Sequence, residues 1–217
     1  MDQTPQNDGR MVVSYLTLRK AIGYLGIALP FVLFFGGMLL HKLGMQSSIS
    51  GYYYTPMRDV LVGILCSIGV FMMSYKGYER RDDLAGDLAC IFAIGTALFP
   101  TLPDDPSHRE KLIGVFHLVF AALFFLTLSY FCLFLFTKTD PAKTPTKQKL
   151  QRNAVYRVCG CTMLAALILI VALGLIPESV LAEIKKLKPN FWLESIAIEA
   201  FGVSWMTKGE AILKDAA

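Results

Sequence analysis

The stretch "LIGVFHLVFAALFFLTLSYFCLFLFT" (112–137) decides the fold. It is a long apolar run, very rich in phenylalanine, with no Asp, Glu, Lys or Arg and a single histidine, His117. A helix that crosses a bilayer needs about 20 mostly apolar residues, within a range of roughly 17–25. A globular core has no need for apolar residues gathered into blocks of this length. The stretch reads as a membrane crossing, so the next question is how many others accompany it.

Working outward, "AIGYLGIALPFVLFFGGMLL" (21–40) carries no charge, and Pro30 inside it is expected to kink the helix. Further apolar runs lie at 59–75, 84–102 and 158–176. The last, 191–207, is the weakest because it contains Glu194 and Glu199. The expected fold is all-α: a polytopic six-helix transmembrane bundle over 21–207, with tails at 1–20 and 208–217. The segment "PESVLAEIKKLKPN" (177–190) sets Val180, Ile184 and Leu187 on one helical face. It reads as a short amphipathic surface helix between the fifth and sixth crossings.

Composition supports this class. Of 217 residues, 54% are hydrophobic and 18% charged, against about 25% charged in ordinary soluble domains. The five cysteines (Cys66, Cys90, Cys132, Cys159, Cys161) fall inside apolar blocks and read as small hydrophobic fillers. The first twenty residues are polar, so no cleavable signal peptide is expected. No basic run is interleaved with aromatics, which excludes nucleic acid as a partner. Membrane lipids are the expected partners, and a second copy of the chain is a further candidate. With both termini inside, the inner segments hold about twice as many Lys and Arg as the outer ones. That bias predicts N-in, C-in, with the lysine-dense 138–153 connector in the cytoplasm. Small size and short loops point to a bacterial inner membrane.

An ionisable side chain in hydrocarbon costs at least about 2.5–3.5 kcal/mol at mid-depth, so each one present needs a reason. Asp59 opens the second crossing, His117 lies inside the fourth, and Glu194 and Glu199 lie inside the sixth. All four fall toward the outer leaflet under this topology. Helical spacing groups Gly114, His117 and Ala121, then Ser195, Glu199 and Gly202, then Asp59, Gly63, Cys66 and Ser67. Small residues mark helix–helix contact in membranes, so these stripes are expected to face inward. Asp59, His117, Glu194 and Glu199 are the candidate ligand pocket. Asp59 could equally cap its helix, and Tyr52, Tyr53 and Tyr54 read as an interfacial aromatic belt.

Two short motifs carry a family likeness. "SSISG" (47–51) directly follows the first crossing, and "VFHLVFAALFF" (115–125) sets a histidine before small residues and paired phenylalanines. Together with the six-span layout they resemble the DRAM-like family, which includes the damage-regulated autophagy modulators, their Frag and Sfk relatives and bacterial six-span cousins. This chain lacks the family's Asp-Thr pair after Ile49 and Ser50. The resemblance implies a polytopic protein without established enzymatic chemistry, acting on lipid or membrane organisation. Ser50, Asp59 and His117 are also similar to the Ser, Asp and His set around the intramembrane zinc of alkaline ceramidases and adiponectin-type receptors, but no His-x-x-x-His pair accompanies them.

The leading expectation is a non-enzymatic membrane protein binding lipid or a small amphiphile in an outward-facing pocket, without a cofactor. One alternative is a metal-dependent lipid hydrolase with zinc on His117, His108 and Glu194. Another is a small proton-coupled transporter or channel in which Glu199 and His117 relay protons.

Overall fold

The structure, a computed structural model, describes residues 8–77, 79–103, 105–139 and 144–214. Of the tails and connector read above, 1–7, 140–143 and 215–217 lie outside these residues. Among the described residues there are seven α-helices and no β-strand. They are α1 (Asp8–His41), α2 (Arg58–Met73), α3 (Arg80–Leu98), α4 (His108–Tyr130), α5 (Lys147–Gly174), α6 (Glu178–Lys185) and α7 (Pro189–Lys208). A 3-10 turn, Ser50–Tyr54, lies between α1 and α2.

Local chemistry sets several of these boundaries. Ser107 and Glu110 form a capping box at the start of α4: the Ser107 side chain accepts from Glu110 N–H, and the Glu110 carboxylate accepts from Ser107 N–H. Glu79 and Asp82 do the same for α3. Thr146 caps α5 by accepting from Lys149 N–H. Residue α1 begins at Asp8 and runs unbroken through Pro30. At its far end α4 passes into a π-turn, Phe131–Leu135, closed by Phe136 N–H donating to Phe131 O at 2.8 Å.

Each long helix packs on its neighbours in sequence, and α7 packs on both α1 and α5, so the six long helices close into a ring. The α1–α7 crossing is close. A Cβ added to Gly202 would stand 2.9 Å from Ile27 N and 3.0 Å from Gly23 O, so only glycine lets the two backbones approach this far. On α3, Ala85, Ala89, Ala93 and Ala97 are all buried, and Ala93 lies against Gly69 of α2. The core divides by height. One cluster gathers Tyr75, Phe131, Phe136, Tyr156 and Trp205, and the other gathers Leu29, Leu33, Ile49, Tyr52, Met57, Leu61 and Phe191.

Three helices are long and apolar enough to cross a membrane: Tyr15–His41 within α1, His108–Leu135 and Lys147–Gly174. The expected six reduce to three on length and composition alone, for physical reasons specific to each of the others. Helix α2 has only 16 residues, α3 opens on Arg80, Arg81, Asp82 and Asp83, and α7 contains Glu194 and Glu199. All six long helices nevertheless turn apolar side chains outward, among them Phe31, Val70, Ile91, Leu118, Ile168 and Ile196.

Candidate functional site

The site is built on the segment that leaves α1. Lys42 takes a left-handed conformation (φ 54°), and Leu43 N–H bonds back to Gly37 O. Short polar side chains then shape the loop internally: Gly51 N–H donates to Ser48 Oγ at 2.9 Å, and Thr55 Oγ1 donates to Tyr52 O at 2.7 Å. The 3-10 turn carries Tyr52 inward against Leu29, Leu33, Leu61 and Phe191. Tyr52 is 1% exposed. It belongs to the core and not to an interfacial belt, because the tight turn points successive tyrosines in different directions. Tyr54 is exposed and donates to Thr101 O, and Tyr53 lies under the Arg58 guanidinium at 4.4 Å.

Two backbone bonds tie this loop to α7. Phe191 N–H donates to Ser47 O at 3.1 Å, and Ser50 N–H donates to Glu194 Oε2 at 3.2 Å. The Ser50 side chain reaches the other way, its Oγ 3.1 Å from His117 Nε2. His117 Nδ1 lies 2.7 Å from Phe99 O, in the turn after α3. A carbonyl can only accept, so Nδ1 carries a proton. In the neutral ring Nε2 is then a lone-pair acceptor, and the Ser50 hydroxyl donates to it.

The result is a chain of polar groups, Glu194–Ser50–His117–Phe99, drawing on α7, the 3-10 turn, α4 and the end of α3. His117 is 5% exposed, while Ser50 and Glu194 are half-buried, so the chain has a closed side and a more open one. Chemically it offers a hydroxyl poised against an imidazole, beside a carboxylate held on a backbone amide.

Of the four candidate residues, the structure brings together His117 and Glu194, with Ser50 between them. Asp59 is exposed in the first turn of α2, and Gly63 on the same stripe is exposed too, so that stripe faces away from the bundle. Asp59 does not cap α2 either, since Met57 occupies that position. There its charge complements the positive end of the helix dipole. Glu199 lies on α7, five residues beyond Glu194, half-buried, with Oε1 buried and unpartnered among the described residues. The structure does not bring His117, His108 and Glu194 together. His108 is exposed at the first residue of α4, about 13 Å along the helix from His117 at 1.5 Å per residue. Both His117 nitrogens are also already hydrogen-bonded. Among the described residues no group of three His, Cys, Asp or Glu side chains could hold a metal.

Two features had no usable signal in the sequence. The Phe99 carbonyl that orients His117 is backbone and invisible to motif reading. Asp82, 1% exposed, forms a 2.6 Å ion pair with Lys138 across 56 positions. Ser50, the bridging residue, was visible as one serine of "SSISG" and through the likeness of Ser50, Asp59 and His117 to a Ser, Asp and His set.

No protein-family model, curated protein or solved structure matches the chain. What the observations define is an all-helical protein with three helices long and apolar enough to cross a membrane, compatible with a membrane protein.

Proposed function

We propose that the protein is an integral membrane protein of six crossings, both termini cytoplasmic, that holds the polar head of a lipid or small amphiphile at Ser50, His117 and Glu194. The observation that carries this reading is Glu194 itself, a carboxylate inside an apolar bundle bonded to a loop amide. Buried ionisable groups in such a setting are costly, which makes each a functional candidate. The outward apolar side chains on all six long helices support six crossings, and the excess of Lys and Arg on the segments assigned inside supports the orientation. The likeness of "SSISG" and the His117 motif to DRAM-like proteins fits the same reading. A ligand's hydroxyl or amine would enter from the half-buried side and exchange hydrogen bonds with Ser50 and Glu194. The test is native mass spectrometry of the detergent-purified chain. Wild type is expected to retain a lipid-sized adduct that Glu194→Gln and His117→Ala lose. Equal occupancy in all three would overturn the proposal.

A second reading rests on the 3.1 Å contact between Ser50 Oγ and His117 Nε2, which is the geometry of a nucleophile and its general base. Ser50 Oγ would attack a lipid acyl carbon, its proton passing to Nε2 and then to the leaving alcohol. Water would next release the acyl group and restore Ser50. Against it, Glu194 occupies the Ser50 N–H that could otherwise stabilise an oxyanion. Labelling of Ser50 by a fluorophosphonate, absent in His117→Ala, would favour hydrolysis, and an unlabelled wild type would exclude it.

A further inference from the structure

At the opposite end of the bundle, about 21 Å along α7 from Glu194 at 1.5 Å per residue, positive charge gathers where α1, α5 and α7 meet. We propose that Arg19, Lys149, Arg152 and Lys208 form a binding site for a phosphate-bearing anion.

These four come from three helices, so the fold assembles what no local motif contains. Lys208 feels the positive charge of Arg19, Lys149 and Arg152 together. Two acids beside the cluster are already engaged. Asp82, which also acts on Lys208, is in its 2.6 Å ion pair with Lys138, and Glu210 stands 3.9 Å from Arg152. What surrounds the cations is aromatic. The Arg19 guanidinium lies 4.0 Å from the Tyr15 ring and 5.5 Å from that of Tyr75. Lys208 Nζ lies 5.2 Å from the Phe136 ring, and Lys149 Nζ lies 6.0 Å from that of Tyr156. The π-turn after α4 contributes directly, because it presents the Phe136 ring to Lys208 and the Phe136 carbonyl to Lys149 Nζ at 2.8 Å.

The donors point to what is missing. Arg19 Nε and Trp205 Nε1 are both buried without a hydrogen-bond partner among the described residues. Trp205 shares the cage: its ring is 5.9 Å from Tyr75, beneath Arg19, and 5.2 Å from Phe136, beneath Lys208. Like charges set among aromatic rings disfavour one another, and buried donors without acceptors cost free energy. A group with several anionic oxygens relieves both at once, and guanidinium with ammonium groups is the donor set that phosphate takes. Two sources carry that chemistry. One is a phospholipid head group, since basic pockets at helix ends recruit anionic lipids. The other is free phosphate.

The test uses the full chain in a neutral maltoside detergent, following its thermal midpoint and tryptophan emission. Inorganic phosphate is titrated at constant ionic strength, and short-chain phosphatidylglycerol is titrated separately. Saturable stabilisation by either supports the site. A response to phosphatidylglycerol alone assigns the head group, and a response to phosphate as well shows that the free anion suffices. Arg19→Gln and Lys208→Met are each expected to weaken binding about tenfold or more, the loss of one charge-assisted contact. Lys208→Met should also leave the anion-free protein at least as stable as wild type, because it removes a repelled cation. Three results would overturn the proposal: no response in wild type, binding in both variants equal to that of wild type, or an equal shift from sodium chloride. A marked loss of anion-free stability in Lys208→Met, with binding in Arg19→Gln intact, would show the cluster to be structural.

Discussion

His117 is held from both sides, by Phe99 O on Nδ1 and Ser50 Oγ on Nε2, in a position only 5% exposed. Replacing it with phenylalanine keeps the bulk but strands a carbonyl and a hydroxyl. The expected cost is about 1–3 kcal/mol, read as a lowered thermal midpoint in detergent, and an unchanged midpoint would show the imidazole to be dispensable for packing. At the other end, the hydrogen bond that Lys138 donates to the Asp82 carboxylate lifts the ammonium above the ordinary lysine range. A raised value means the pair's contribution is complete below the ordinary lysine pKa and is lost only as pH climbs through the raised one. Stability due to this pair should therefore be flat from pH 6 to 9 and fall only in strong alkali, while Asp82→Asn should remove the alkaline component. His117 was legible as a residue because one imidazole in a long apolar run stands out. Ser50, 67 positions away, was grouped with it only by a family likeness, and Phe99 was not legible because it meets the ring only through backbone.

At the scale of elements, the α1–α7 contact depends on the absence of side chains. A Cβ on Gly202 would already stand 2.9 Å from Ile27 N and 3.0 Å from Gly23 O, so Gly202→Leu must force the helices apart. Overpacking of this kind costs about 1–3 kcal/mol or more. The expected result is faster proteolysis of the 209–214 end together with a lower thermal midpoint, whereas Gly174→Ala, which meets nothing within 4 Å, should change neither. Apolar length made α1, α4 and α5 readable from composition alone, because hydrocarbon as solvent demands it. Helices α2, α3 and α7 were harder. Their apolar runs are short or interrupted, and much of their burial comes from neighbours, as in the alanine stripe of α3. Of the three tyrosines at 52–54, Tyr52 departs from the interfacial reading, because a run of identical residues hides which one a tight turn sends inward.

For the whole molecule, the proposed topology makes a claim that chemistry can check. In a variant with the native cysteines removed, single cysteines at Gln46 and Thr144 should react with impermeant maleimide from opposite faces of the membrane, Gln46 from outside. Labelling of both from one face would break the six-crossing arrangement. The ring also has a consequence for the order in which it is completed. Helix α1 is synthesised first, yet its closest partner, α7, is synthesised last, and the same late helix secures the Ser47–Tyr54 loop through Phe191 and Glu194. Until those final residues emerge, α2 is the one helix that packs extensively on α1 among the described residues. Contacts of such long range form late and leave early segments exposed. A chain ending at 188 should accordingly show α1 and its loop open to protease while the α2–α5 block stays protected. The seam between first and last helices is thus the point at which the nascent chain either locks or is degraded.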